Sequence, residues 1–270
     1  MHVGGESRSD NVSSSVWDGQ TAVWHVNYGK EGSAEGKGYY ANVANSNVAT
    51  MRAWDSGGLA DADGKVGAAR RISNGNQGAG GSYFRVGGNA LLAELGNHFT
   101  TSMWFKYKDG GQMTGDDRLA SHKYNNDGEW NASGWEISLH NNKPKELLVR
   151  GCGGNAYTVE TSSNGFNSGD WYHIVVIYDD ADVKVYINGT AVTGTGSIEA
   201  ASNASDKNLT FGGSNHASAT YSSLKGVLDE IRLGAGSLSA DRIKADYETV
   251  ANPDFFSASE VVTGFTVIIK

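Results

Sequence analysis

The run from Trp171 to Val192, WYHIVVIYDDADVKVYINGTAV, limits the fold more than any other part of this chain. Val175 and Ile177 alternate with Val176 and Tyr178, the period of two that belongs to a strand with distinct faces. Asp179-Asp180-Ala181 interrupts the run, after which Val183, Val185 and Ile187 alternate with Lys184 and Tyr186. Asn188-Gly189 then favours the positive φ angles that a two-residue hairpin turn demands. The stretch is therefore predicted to form three consecutive antiparallel strands.

Composition extends that reading to the whole chain. Its 270 residues include 37 Gly, only 2 Pro and 10% aromatics, with Asn, Ser and Thr between short apolar runs. Such punctuation suits many strands joined by turns, and the length suits one large sandwich. A net charge of −8 argues against nucleic acid or an anionic membrane as partner, because both attract a basic face. The single cysteine, Cys152, excludes an internal disulfide and has no neighbouring His to make it a nucleophile. No run approaches the ~20 apolar residues of a membrane span. The polar start, Met1-His2-Val3-Gly4-Gly5, lacks the features of a signal peptide. It implies a piece of a longer extracellular or cell-surface protein.

Residues 1–20 read as a polar lead-in, 21–256 as the sandwich, and 257–270 as a terminal strand or the start of a following segment. Further strands are predicted at Thr21–Val26, Ser82–Val86, Phe99–Lys108, Arg118–His122, Gly134–His140, Glu146–Arg150, Tyr157–Thr161, Leu209–Gly212 and Gly226–Leu233. Residues 29–64, rich in Gly, Asn, Asp and Ala, read mainly as loop. One helix is predicted, Ala240–Val250, capped by Ser239 and carrying Ile243, Tyr247 and Val250 on one stripe. The expected fold is all-β: a two-sheet antiparallel jelly-roll sandwich with one short C-terminal helix.

Several segments resemble, in order, the laminin-G-like, concanavalin A-like jelly-roll domains of bacterial secreted and surface proteins. They are Val23-Trp24-His25-Val26, the run Gly64-Lys65-Val66-Gly67 to Ile72, the hairpin from Trp171, and Gly226-Val227-Leu228-Asp229-Glu230-Ile231-Arg232-Leu233. The trailing Ser239-Ala240-Asp241-Arg242-Ile243 to Glu248 fits as well, although Arg242 stands where the family often has an aromatic. Residues 29–64 align poorly. The resemblance covers roughly residues 20–256 and implies the sandwich fold, with carbohydrate binding or adhesion as its function.

Asp229 is the candidate metal ligand. A carboxylate in an apolar strand must find a partner, and the resemblance implies a structural Ca²⁺ there; pairing with Arg232 or with backbone N–H groups is the alternative. The candidate sugar-binding residues are Tyr124, Asp127 and Trp130 in the segment Tyr124–Trp135, with Trp54 as a second loop aromatic. Aromatic faces hold sugar C–H surfaces, and Asn and Asp accept from hydroxyls. Trp135, beside a strand, is assigned to the core. Asn125-Asn126-Asp127-Gly128-Glu129 does not meet EF-hand spacing and reads as a turn.

A glycosidase needs two opposed carboxylates, and the E-x-D-x-x-E strand of jelly-roll hydrolases is missing. Asp179, Asp180 and Asp182 fall in a solvated turn, and Asp229 and Glu230 are expected on opposite faces. His25, His122, His140 and His173 are scattered singly, without zinc-site spacing. The chain is therefore expected to be a non-catalytic carbohydrate-binding or adhesion module of a larger extracellular protein, its partner a polysaccharide, another glycan or a surface protein. The alternatives are a structural spacer or protein-interaction domain without a sugar site, and a glycoside hydrolase. A joint sugar site requires Trp54, Tyr124 and Trp130 to meet on one surface.

Overall fold

The computed structural model describes residues 19–26, 39–40, 44, 51–54, 59–72, 83–86, 90–107, 116–123, 133–140, 143–160, 166–203, 208–213, 224–252, 256–261 and 264–269. Two antiparallel sheets pack face to face. The first runs β14 (Thr190–Val192), β13 (Asp182–Ile187), β12 (Trp171–Asp179), β7 (His98–Tyr107), β17 (Gly226–Ala235), β5 (Ala68–Ile72) and β4 (Leu59–Asp63), with β1 (Ala22–Trp24) also on β17. The second runs β15 (Thr195–Gly196), β11 (Ala156–Glu160), β10 (Lys143–Arg150), β9 (Glu136–His140), β8 (Asp117–Ser121), β16 (Leu209–Phe211), β6 (Tyr83–Val86), β3 (Met51–Trp54) and β2 (Tyr39–Tyr40).

The founding hairpin forms as read. Ile187 pairs with Thr190 across Asn188-Gly189, whose φ angles are 51° and 75°. Alternation then sorts side chains between faces. Val176 and Tyr178 point inward with Phe105, Ile137, Leu147, Val149 and Phe211, while Val175, Ile177 and Tyr186 face outward. The helix α2 (Ala240–Ala251) covers that outer face. Ser239 accepts the Arg242 N–H as its cap, and Ile243 is buried against Val175, Ile177 and Tyr186. Burying one such aliphatic side chain contributes about 1.5–3 kcal/mol. Tyr247, one turn on, stacks on Trp104 at 5.6 Å.

Two expectations need correction. Residues 29–64 carry β2, β3 and the whole of β4. These strands escaped notice because they are short, and because β4 (LADAD) is an edge strand whose charges discourage further pairing. A second helix, α1 (Ala90–Leu95), buries Leu91, Leu92 and Leu95. At six residues it is too short for its periodicity to stand out. At the other end of the chain, β18 (Phe256–Val261) and β19 (Gly264–Ile269) pair with each other as a separate hairpin.

Candidate functional site

Strand β17 shares one of its edges between two partners. Gly226–Leu228 pair with β5, and Ile231–Leu233 pair with β1. Asp229 and Glu230 occupy the gap. The register against β7 slips here, with Asp229 opposite Trp104 and Arg232 opposite Ser102, and Glu230 takes φ 49°. Such a bulge adds one residue on one strand. Leu228 and Ile231 both lie in the inner core, so Asp229 and Glu230 share the outer face, where strict alternation had placed them on opposite faces. Each fastens a neighbouring strand. Asp229 Oδ2 accepts the N–H groups of Lys65 (2.8 Å) and Val66 (2.9 Å) in the turn that starts β5, and Oδ1 accepts the Glu230 N–H at 2.9 Å. The Glu230 carboxylate takes His25, just beyond β1, and Arg232.

The same geometry bears on the calcium expectation. Burial pushes the Asp229 carboxyl up to about 6, against the pull of its N–H donors. Its oxygens already serve three backbone groups, whereas calcium asks for about six to eight oxygen ligands. Among the described residues no three His, Cys, Asp or Glu side chains stand close enough to hold an ion. The described donor set therefore does not fit calcium.

On the second sheet the outer face holds a chain of ion pairs. Glu136, 1% exposed, is met by Arg118 Nε at 2.6 Å and Arg150 Nη1 at 2.9 Å, and Arg150 reaches Asp116 at 3.0 Å. Burial alone would raise the Glu136 carboxyl, but the two guanidinium groups outweigh it and hold it below the usual range. A general acid needs the opposite shift. The histidines are taken up in similar ways: His140 pairs with Glu146, His25 with Glu230, and His173 is buried, stacked on Trp104 at 5.0 Å.

The sandwich has two distinct ends. At one, Tyr178 Oη donates to the Glu136 carbonyl at 3.3 Å, and Trp135 Nε1 to Asn203 at 2.8 Å. The segment Tyr124–Trp135 leaves from this end, its base closed by the His122 N–H on the Trp135 carbonyl at 2.9 Å. Trp135 itself is buried in the core, as expected. Tyr124, Asp127 and Trp130 lie outside the described residues. Trp54 belongs to the other end. It pairs with Tyr83, one step beyond the row Ala53, Phe84, Phe211 and Ala120. That step holds Gly212, whose carbonyl accepts the Leu224 N–H at 2.9 Å, beside Ile72 and Leu228 of the first sheet. The register thus sets Trp54 three residue steps along the strands, roughly 10 Å at ~3.3 Å per residue, from the row of His122 at the base of the Tyr124–Trp135 segment.

At this second end the structure opens a groove of about 470 Å³, within the range of about 300–1,000 Å³ typical of ligand sites. Its charged walls are Asp61 and Asp63 of β4, Arg71 of β5 and Lys106 of β7; Val227 and Ser168 complete it. Sequence reading missed it, because its residues come from strands far apart in the chain. The adjacent Arg70 and Arg71 are its one trace in the sequence.

No curated protein sequence matches the chain. Among solved structures it is similar to the binding domain of Paraclostridial Mosquitocidal Protein 1 (TM-score 0.60, 16% identity, 88% of this chain, 53% of that one). It is also similar to Domain 4 of AbnA, a GH43 extracellular arabinanase from Geobacillus stearothermophilus, in complex with arabinotriose (TM-score 0.52, 22% identity, 84% of this chain, 97% of that one). A third is botulinum neurotoxin type C, whose cell entry is dependent upon interaction with two ganglioside molecules (TM-score 0.58, 12% identity, 87% of this chain, 52% of that one). The chain spans about half the length of the mosquitocidal and neurotoxin chains. A laminin G family model, described as the concanavalin A-like lectin/glucanases superfamily, matches residues 77–244. With that match and this sandwich, the chain belongs to the concanavalin A-like lectin/glucanases superfamily.

Proposed function

We propose that this protein is a non-catalytic glycan-binding module of a larger extracellular protein, and that its sugar site is the groove at the Trp54 end. The observation that carries the reading is the contrast between the two polar surfaces. On the second sheet, Glu136 and Asp116 are tied to arginines. In the groove, the Arg71 side chain has no ion pair or hydrogen bond among the described residues, and Asp63 lines the same wall. An open guanidinium and a carboxylate beside the apolar Val227 suit sugar hydroxyls and C–H faces. The arabinanase domain bound to arabinotriose and the neurotoxin that interacts with gangliosides support a sugar partner for a fold of this kind.

The test is an oligosaccharide array followed by titration calorimetry, on wild type and on Arg71→Ala. Binding that Arg71→Ala abolishes without moving the melting temperature supports the module and its site. An array blank across glycan classes favours the spacer reading, and turnover of a polysaccharide by purified protein restores the glycosidase.

A further inference from the structure

The groove carries the opposite sign to the chain around it. The protein has net charge −8, yet within the groove the Asp61 carboxylate is already paired with Arg70. That leaves Arg71 and Lys106 facing Asp63 alone, a local surplus of positive charge. The register sets these cations in one row: Lys106 pairs with Val227, and Val227 pairs with Arg71. They flank Val227 two strand spacings apart, roughly 10 Å at ~4.8 Å per spacing. Arg71 is exposed. Lys106 holds its ammonium over the Trp171 ring, 4.9 Å from the centroid. Such a contact is weak where water reaches it, so a better partner can displace it.

We infer that the groove recognises a carboxylate-bearing sugar, a uronic or sialic acid residue. This rests on the reading of the protein as a glycan-binding module. Arg71 supplies the planar fork that meets a carboxylate through two parallel N–H donors. Lys106 swings from Trp171 to the same group or to the next sugar along the row. Val227 lies under the C–H face, and Asp63 accepts from ring hydroxyls, which rewards a sugar over a bare carboxylate. The overall negative charge repels polyanions in general, so the attraction is confined to this row.

The test compares probes that differ only in charge: trigalacturonate against its fully methyl-esterified form, and sialyllactose against lactose, by calorimetry at low salt. At least one acid is expected to bind about tenfold or more tightly than its neutral counterpart, the preference fading as salt rises. Arg71→Ala is expected to remove that preference, Arg71→Lys to restore only part of it, and neither to shift the melting temperature. Displacement of Lys106 is read as a change in tryptophan emission that Trp171→Phe abolishes. Equal binding of acid and neutral partner, or neutral binding only, overturns the acid preference and leaves the glycan-module reading standing. No binding of any of the four probes overturns the acid preference, and an array blank across glycan classes overturns the glycan-module reading as well.

Discussion

Asp229 and Glu230 sit side by side on the outer face of the first sheet, and each fastens a different strand to β17. Asp229 takes the turn before β5 through Lys65 and Val66, and Glu230 takes His25 at the end of β1. The bulge between them gives both carboxylates the same face. Gly64 belongs to the same clamp, since a Cβ there would come within 2.7 Å of Asp229 Oδ2. A short motif of adjacent acids thus closes one edge of the sandwich, and its contacts are structural.

Asp229→Ala leaves the Lys65 and Val66 N–H groups without their acceptor. The expected loss is about 1–3 kcal/mol, the cost of partly buried donors left unmet. Urea melts measure it. Added calcium or a chelator is expected to leave the wild-type melting temperature in place, and a shift on chelation would point to donors beyond the described residues.

Asp117 sets a pH dependence. Burial pushes its carboxyl from 3.8 up to about 7, and its Oδ2 has no hydrogen-bond partner among the described residues. The folded state therefore favours the protonated form. The unfolded chain releases this proton near pH 3.8, so the group's contribution to stability falls as pH rises from there through 7. Asp117→Asn is expected to be more stable than wild type at pH 8, by roughly 2–4 kcal/mol at most, and to gain little at pH 4. Equal gains at both values would show that ionisation is not the cause.

Glu136→Gln strips the counter-charge from Arg118 and Arg150 inside a buried network. Breaking such a network from one side costs about 3–5 kcal/mol. Thermal unfolding should show that loss, while sugar affinity measured well below the new melting temperature stays unchanged because the groove is elsewhere.

The groove and Trp130 are competing candidates for the sugar site. Asp63→Ala, in the groove wall, is expected to weaken glycan binding, and Trp130→Ala to leave the affinity as it is, each read by calorimetry. The reverse result would move the sugar site to the segment Tyr124–Trp135.

The local order of the chain determined the scaffold. Alternation and Asn188-Gly189 specified the central hairpin, Ser239 and the Ile243–Tyr247 stripe specified α2, and the ordered motifs pointed to the superfamily. These signals are readable because strand period, turn angles and capping act over a few neighbouring residues. Tertiary structure decided the rest. The motif at Gly64–Gly67 and the acids at 229 and 230 form one clamp across more than 160 positions. Trp54 and the base of the Tyr124–Trp135 segment at His122 lie three residue steps apart because register fixes where each strand stops. Arg71 and Lys106, unremarked in sequence, share a row only because both pair with Val227. Packing residues obey periodicity, but a binding surface is assembled where distant strands end together, and no local rule encodes that meeting.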